Sequence, residues 1–240
     1  MKRFLFLSVL LFAAVSLSKA DNFTCRTGAG CLNGTDFFDW GDNFGVAGSE
    51  IPMGSLATSN GSGVNAQVLF NNGDGVRIDQ GNTWNGNFSP GDELIWTQDP
   101  TSGNRSTILS FSFDTPLSGL GANIQPNVFF DFTAQVEVFD IDEALIASFS
   151  LAGASDDGTE TSAIFLGLGN LSGIRAATFS ITACGSCDFQ DFAINQLDII
   201  PEGASVPEPT SLLLLSTGLL ALGGAARRKA RSKKKPDQVV

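Results

Sequence analysis

FTAQVEVF, residues 132–139, decides the fold class. Phe132, Ala134, Val136 and Val138 fall on one side of an extended chain and Thr133, Gln135 and Glu137 on the other. That is the two-residue period of a half-buried antiparallel strand. Similar short runs occur at 66–70, 76–78, 94–96, 107–113, 145–151, 163–168, 174–181 and 189–200. Turn-forming stretches separate many of them: NNGDG (71–75), SPGD (89–92), PTSGN (100–104), TPLSGLG (115–121) and ASDDG (154–158). No segment between residues 21 and 200 carries a sustained 3.6-residue period with caps. About nine short strands joined by Gly, Asn and Asp turns predict an all-β fold, an antiparallel β-sandwich of jelly-roll type.

Both ends of the chain are set apart from this body. Residues 2–3 are Lys-Arg, an apolar run FLFLSVLLFAAVSL follows, and Ser18-Lys19-Ala20 closes it. This is the three-part pattern of a secretory signal peptide over 1–20, with cleavage expected between Ala20 and Asp21. At the other end, residues 210–226 carry no charge and are followed by RRKARSKKK. A helix over them would be about 25 Å long, enough to span a thin bilayer. The basic tail, 227–240, keeps its side of the membrane cytoplasmic and puts the body outside. Residues 201–209, PEGASVPEP, read as an extended Pro-rich linker. Residues 21–63, rich in Gly, Asn and Ser, are compatible with an irregular lead, although DFFDWGDNFG (36–45) has aromatics to bury.

The exported body of 21–209 has four basic residues, Arg26, Arg77, Arg105 and Arg175, against 24 acidic ones. Its net charge near −20 is hidden by the basic tail in the whole-chain value of −11. Such a body repels nucleic acid, since neutralising phosphates takes Lys and Arg. It suits a soluble surface outside the cell. Cys25, Cys31, Cys184 and Cys187 form two close pairs in an oxidising compartment, where disulfides are the default. Local pairing is worth roughly 2 kcal/mol per bond by loop entropy and pairing across the body about 5 kcal/mol, yet spacing alone leaves all three connectivities open. Cys184-Gly185-Ser186-Cys187 has redox-like spacing, but a structural disulfide is the stronger reading beside an acidic, strand-like sequence.

Composition removes much chemistry. The chain has no histidine, and there is no lysine between Lys19 and Lys229. That excludes Ser-His-Asp and Cys-His catalysis, His-ligated metal hydrolases and Schiff-base mechanisms in the body. Carboxylate pairs survive, and pairs about 5–9 Å apart hydrolyse glycosidic bonds. No cofactor is called for. The turns at Asn71–Gly75 and Asp156–Gly158 admit a structural calcium, although no stretch has the twelve-residue calcium-loop pattern. Trp40, Trp84 and Trp96 are candidates for stacking on sugar rings, and each is equally suited to the core.

Val206-Pro207-Glu208-Pro209 stands directly before the Leu-rich segment, which stands directly before the Arg/Lys cluster. Order, spacing and terminal position resemble a PEP-CTERM sorting signal, here over about residues 206–235. The resemblance implies a bacterial surface protein processed by an exosortase, an integral-membrane cysteine protease that would recognise Pro207, Glu208 and Pro209. Such proteins accompany exopolysaccharide and biofilm production. The two prolines hold the site extended and open to a protease, which makes these residues substrate rather than catalyst. FTAQVEVFD (132–140), AIFLGL (163–168) and DFAINQLDI (191–199) resemble strands of β-sandwich ectodomains in that family and, more loosely, jelly-roll carbohydrate-binding modules.

The functional expectation is an exported, non-enzymatic surface or matrix protein. It is held first at the inner membrane and finally placed at the cell surface or in the extracellular matrix, with extracellular polysaccharide as a partner. The competing readings are a carboxylate-dependent glycan hydrolase or lyase and a self-associating adhesin.

Overall fold

The computed structural model describes residues 23–25, 29–156, 163–184 and 191–203. The chain divides between Glu202 and Gly203 into two units, and of the second only Gly203 is described. The signal-peptide cleavage site at Ala20-Asp21, Cys187, the motif Pro207-Glu208-Pro209, the 210–226 segment and the basic tail lie outside the described residues. Among the described residues no helix is long and apolar enough to cross a membrane.

The first unit is all-β, and its strand pairings are antiparallel. In chain order its elements are β1 (Phe23–Cys25), α1 (Ala29–Leu32), β2 (Asp36–Phe38), α2 (Trp40–Phe44), β3 (Glu50–Ile51), β4 (Leu56–Thr58), β5 (Asn65–Phe70), β6 (Gly75–Asp79), β7 (Glu93–Trp96), β8 (Ile108–Pro126), β9 (Asp131–Phe139), β10 (Leu145–Ala154), β11 (Ile164–Gly169), β12 (Ile174–Cys184), β13 (Phe192–Ile194) and β14 (Leu197–Pro201). The decisive alternation is β9, whose even-numbered residues are buried from Phe132 to Val138. It lies between β10 and β12.

The organising element is β8, nineteen residues long. Its first part, up to Phe113, pairs with β12 on one side and β5 on the other. Beyond Pro116 it pairs with β11 on one side and with β14 and β13 on the other. At the junction the β12 register jumps from Ala176↔Ser112 to Ile174↔Leu117, a bulge that absorbs Pro116, which has no N–H to donate. The TPLSGLG segment, expected to be a turn, is therefore strand. Gly119 and Gly121 are there because neighbouring backbone comes close: a Cβ on Gly121 would lie 2.8 Å from the Leu166 carbonyl and against the Phe165 ring. The single run expected over 189–200 is two strands, parted at Asn195-Gln196.

One large core joins both parts of β8. Its centre is an aromatic stack: Trp40 lies between Phe38 (centroids 6.1 Å) and Phe111 (5.9 Å), and Phe179 meets Phe111 edge-on at 6.2 Å. Offset aromatic pairs add about 0.5–1.5 kcal/mol each beyond their burial. Two smaller clusters cover the opposite face of the second half, one around Trp84, Phe88 and Leu94, the other joining Leu32 of α1 to Phe165. The described part of the Gly/Asn/Ser-rich lead is thus integral to the body, because its aromatics fill the core.

Asp36 explains how this lead is held. Its carboxylate accepts from the Ser59 hydroxyl (2.5 Å), the Ser62 hydroxyl and the N–H groups of Phe37, Gly61 and Ser62. Burial pushes its pKa up, and these hydrogen bonds more than compensate, so Asp36 titrates below an ordinary aspartate. At the far end, Pro201 is buried and pairs with Leu117, and the Glu202 N–H donates to the Pro116 carbonyl at 2.8 Å. The expected linker therefore starts later than residue 201, since its first two residues complete the sheet. In the β9–β10 turn, Asp140 Oδ1 accepts from the N–H groups of Asp142 and Ala144, both at 2.9 Å. Glu143 is held there at φ +61°, a left-handed conformation that costs a non-glycine residue about 1–2 kcal/mol.

Candidate functional site

Carboxylates are the chemistry that composition leaves, and the structure brings several of them together around α2. Asp39 caps this helix, accepting at Oδ1 from the N–H groups of Gly41 (2.9 Å) and Asp42 (3.1 Å). The Gly41 N–H also donates to Glu93 Oε2 at 2.8 Å, so β7 delivers a second carboxylate beside the first. A Cβ at 41 would meet the Glu93 carboxylate, so a larger residue there would have to push that side chain aside. Arg77, only 3% exposed, reaches from β6 to ion-pair with Glu93 and Asp79. It is one of the body's four cations, and burial of its charge is sustained by these two partners.

The Asp39 and Glu93 side chains are hydrogen-bonded to each other. Burial raises the Glu93 pKa, and the neighbouring Asp39 adds to the effect against the pull of Arg77. Burial also works to raise Asp39, but the bond from Glu93, the two helix N–H groups and the Arg77 charge together hold it below the ordinary carboxylate range. The pair opens onto a cleft of about 310 Å³ whose other walls include Asp92, Asn195 and Asp198. Asn195 organises this wall. Its side chain donates to Asp92 Oδ2 (3.2 Å) and accepts from the Asn123 N–H (2.9 Å), and its carbonyl accepts from Trp40 Nε1 (2.7 Å). Burial pushes Asp198 up despite a hydrogen bond from Gln196.

This arrangement places two carboxyl groups side by side, bonded to each other and to the Gly41 N–H. Glycoside hydrolysis needs its two carboxyls roughly 5–9.5 Å apart, with a sugar or water between them. A pair in direct contact lacks that gap and acts as a local clamp between α2 and β7. Sequence reasoning did not find it, since 54 positions separate the partners and nothing local marks Glu93. The available signals were Asp39 ahead of Trp-Gly-Asp, a helix start, and Arg77 inside an apolar strand.

The other expected residues fall elsewhere. Trp40 and Trp84 are 1% and 4% exposed, which removes both as sugar-stacking platforms. Trp96 is half-buried, and its Nε1 donates to the buried Asp191 at 2.9 Å. In the Asn71–Gly75 turn the side-chain oxygens serve the fold: Asn71 accepts from the Ile108 N–H and Asp74 from the Met53 N–H. Among the described residues no group of three or more acidic or thiol side chains is placed to hold a metal ion. Cys25 lies in β1, paired with Gly167. Cys31 lies beside Leu32 and Phe165, and Cys184 ends β12 opposite Phe132.

Comparison with known proteins adds one match. Residues 205–229 match the PEP-CTERM protein-sorting motif. The match begins three residues after the last residue of the β unit. No match to the chain is found among curated proteins. The chain thus carries a sorting signal of exported proteins, one that implies membrane anchoring through the C-terminus and processing by exosortase, a membrane protease.

Proposed function

We propose that this chain, exported and sorted through its PEP-CTERM motif, is a non-enzymatic surface protein whose β body ends up at the cell surface or in the extracellular matrix. The observation that carries this reading is the motif at 205–229, directly after a β unit closed by Pro201 and Glu202. The body's charge near −20 and its lack of histidine suit a soluble, non-catalytic exterior module. Extracellular polysaccharide is the proposed neighbour. The jelly-roll sandwich belongs to the same proposal, supported by the single core into which both parts of β8 feed. So do two local disulfides, Cys25–Cys31 and Cys184–Cys187, supported by the separate clusters against which Cys31 and Cys184 pack.

The test is the mass of the mature protein recovered from the surface of a bacterial host that contains an exosortase. We expect a chain that begins at Asp21 and has lost everything beyond the Pro207–Pro209 region. An intact C-terminus would overturn the processing step and leave an ordinary anchored ectodomain.

A further inference from the structure

The outer face of the first part of β8 carries a groove that the sorting signal does not explain. Its floor is built by strand register: Thr178 of β12 stands opposite Ser110 and Ala176 opposite Ser112, while Leu69 of β5 flanks Ser110 from the other side. Side-chain hydroxyls therefore recur roughly 4.8 Å apart across strands and about 6.8 Å along one. The walls come from the end of β9 and the tight turn after it, with Phe139, Asp140, Ile141 and Glu143, and from Arg175 of the neighbouring β12. The groove encloses about 550 Å³, within the range of small-molecule sites.

Three separate features mark it as more than a gap. Ile141 is 69% exposed at its rim and offers an apolar side chain to a ligand. Glu143 sits in the left-handed backbone region, where glycine or asparagine would be at ease, and a strained residue is retained where its side chain is needed. The lining also combines hydroxyls that donate and accept, an apolar flank, two carboxylates (Asp140 and Glu143) and one guanidinium (Arg175). Such a lining matches a ring with apolar C–H faces and hydroxyl edges. The surrounding acidic body disfavours an anionic ligand.

We propose that this groove binds a neutral oligosaccharide, with Phe139 and Ile141 against the ring faces, and with Ser110, Ser112, Thr178, Glu143 and Arg175 bonding its hydroxyls. The proposal deepens the surface-protein reading above and moves the sugar contact away from the buried tryptophans to a face without them.

The test titrates the full-length chain, held in lipid nanodiscs free of sugar detergents, with hexasaccharides of glucose, galactose, mannose and N-acetylglucosamine by calorimetry. At least one should bind with Kd below about 1 mM. Glu143→Gly should weaken it tenfold or more while leaving the melting temperature equal or higher, because it relieves the strained turn. Ser112→Trp, which fills the floor from an exposed position, should weaken it as much. Saturation by none of the four sugars overturns the groove assignment. So does binding that survives both substitutions, or capture of a Ser/Thr-rich peptide in place of sugar. Correct C-terminal processing alongside absent binding would sink the groove and leave the sorting reading standing.

Discussion

From Ile108 to Phe113, β8 alternates strictly between core and outer surface, whereas from Leu117 to Pro126 eight of its ten residues are buried. The same strand lives in two environments. Its first part is covered on one face, by the aromatic stack, and leaves Ser110 and Ser112 on an open groove. Its second part is covered on both, because Phe165 and Leu32 close over Gly121 from the outside while Leu120, Ala122 and Ile124 face other strands of the core. A strand buried on both sides loses its two-residue period, and the difference decides where this protein can meet a ligand.

The comparison breaks most visibly at Phe111. This ring is 0% exposed and touches Trp40, Phe113 and Phe179, so Phe111→Ala should cost about 3–5 kcal/mol in denaturant unfolding. A loss below about 1 kcal/mol would mean the first part of β8 does not anchor the core. The second part should fail through crowding instead of a cavity. Gly121→Ala puts a methyl against the Leu166 carbonyl and the Phe165 ring, and overpacking of this kind costs about 1–3 kcal/mol. The matched change Ser112→Ala on the open face should stay within about 0.5 kcal/mol. Equal effects at 112 and 121 would erase the distinction drawn here.

The smallest effect lies at the junction. Asp114 accepts from the Asn65 side chain (2.7 Å) and the Asn65 N–H (2.9 Å), and these bonds hold its pKa below the ordinary aspartate value. A depressed carboxylate stabilises the fold above its unfolded pKa and loses that contribution as pH falls through the folded value. Asp114→Asn should therefore lower the melting temperature slightly at pH 7 and flatten its fall below about pH 4, where variant and parent converge. A steeper acid limb in the variant would reverse the sign assigned to Asp114.

How much was legible follows from the same contrast. Where one face is open, as in β9, β5 and the first part of β8, alternation in the sequence located the strands to within a residue or two. Where both faces are covered, TPLSGLG offered only Pro and Gly and read as a turn. The glycines there answer to Leu166 and Phe165, some 45 residues away, which no local window contains. Phe38 and Trp40 showed their burial only as aromatics in a polar lead. The acid pair was invisible for a similar reason: Asp39 looks like a helix cap and Glu93 like a surface residue until Gly41 brings them together. The groove needs four strands and a turn in register before its lining exists at all.

The extended pairing of β8 also sets an order of events for a chain that emerges N-terminus first, whether from a ribosome or a membrane channel. Its second half waits for β11, β13 and finally β14, and β14 in turn pairs with β2 near the start. Contacts of such long sequence separation form slowly, because loop closure comes before any of them contributes. The sheet closes only once Pro201 has emerged, four residues ahead of the matched sorting motif. Completion of the fold and presentation of the sorting signal are thereby nearly simultaneous. Until then the sheet is incomplete, and a pulse-chase experiment should see a protease-sensitive form that disappears once β14 is in place.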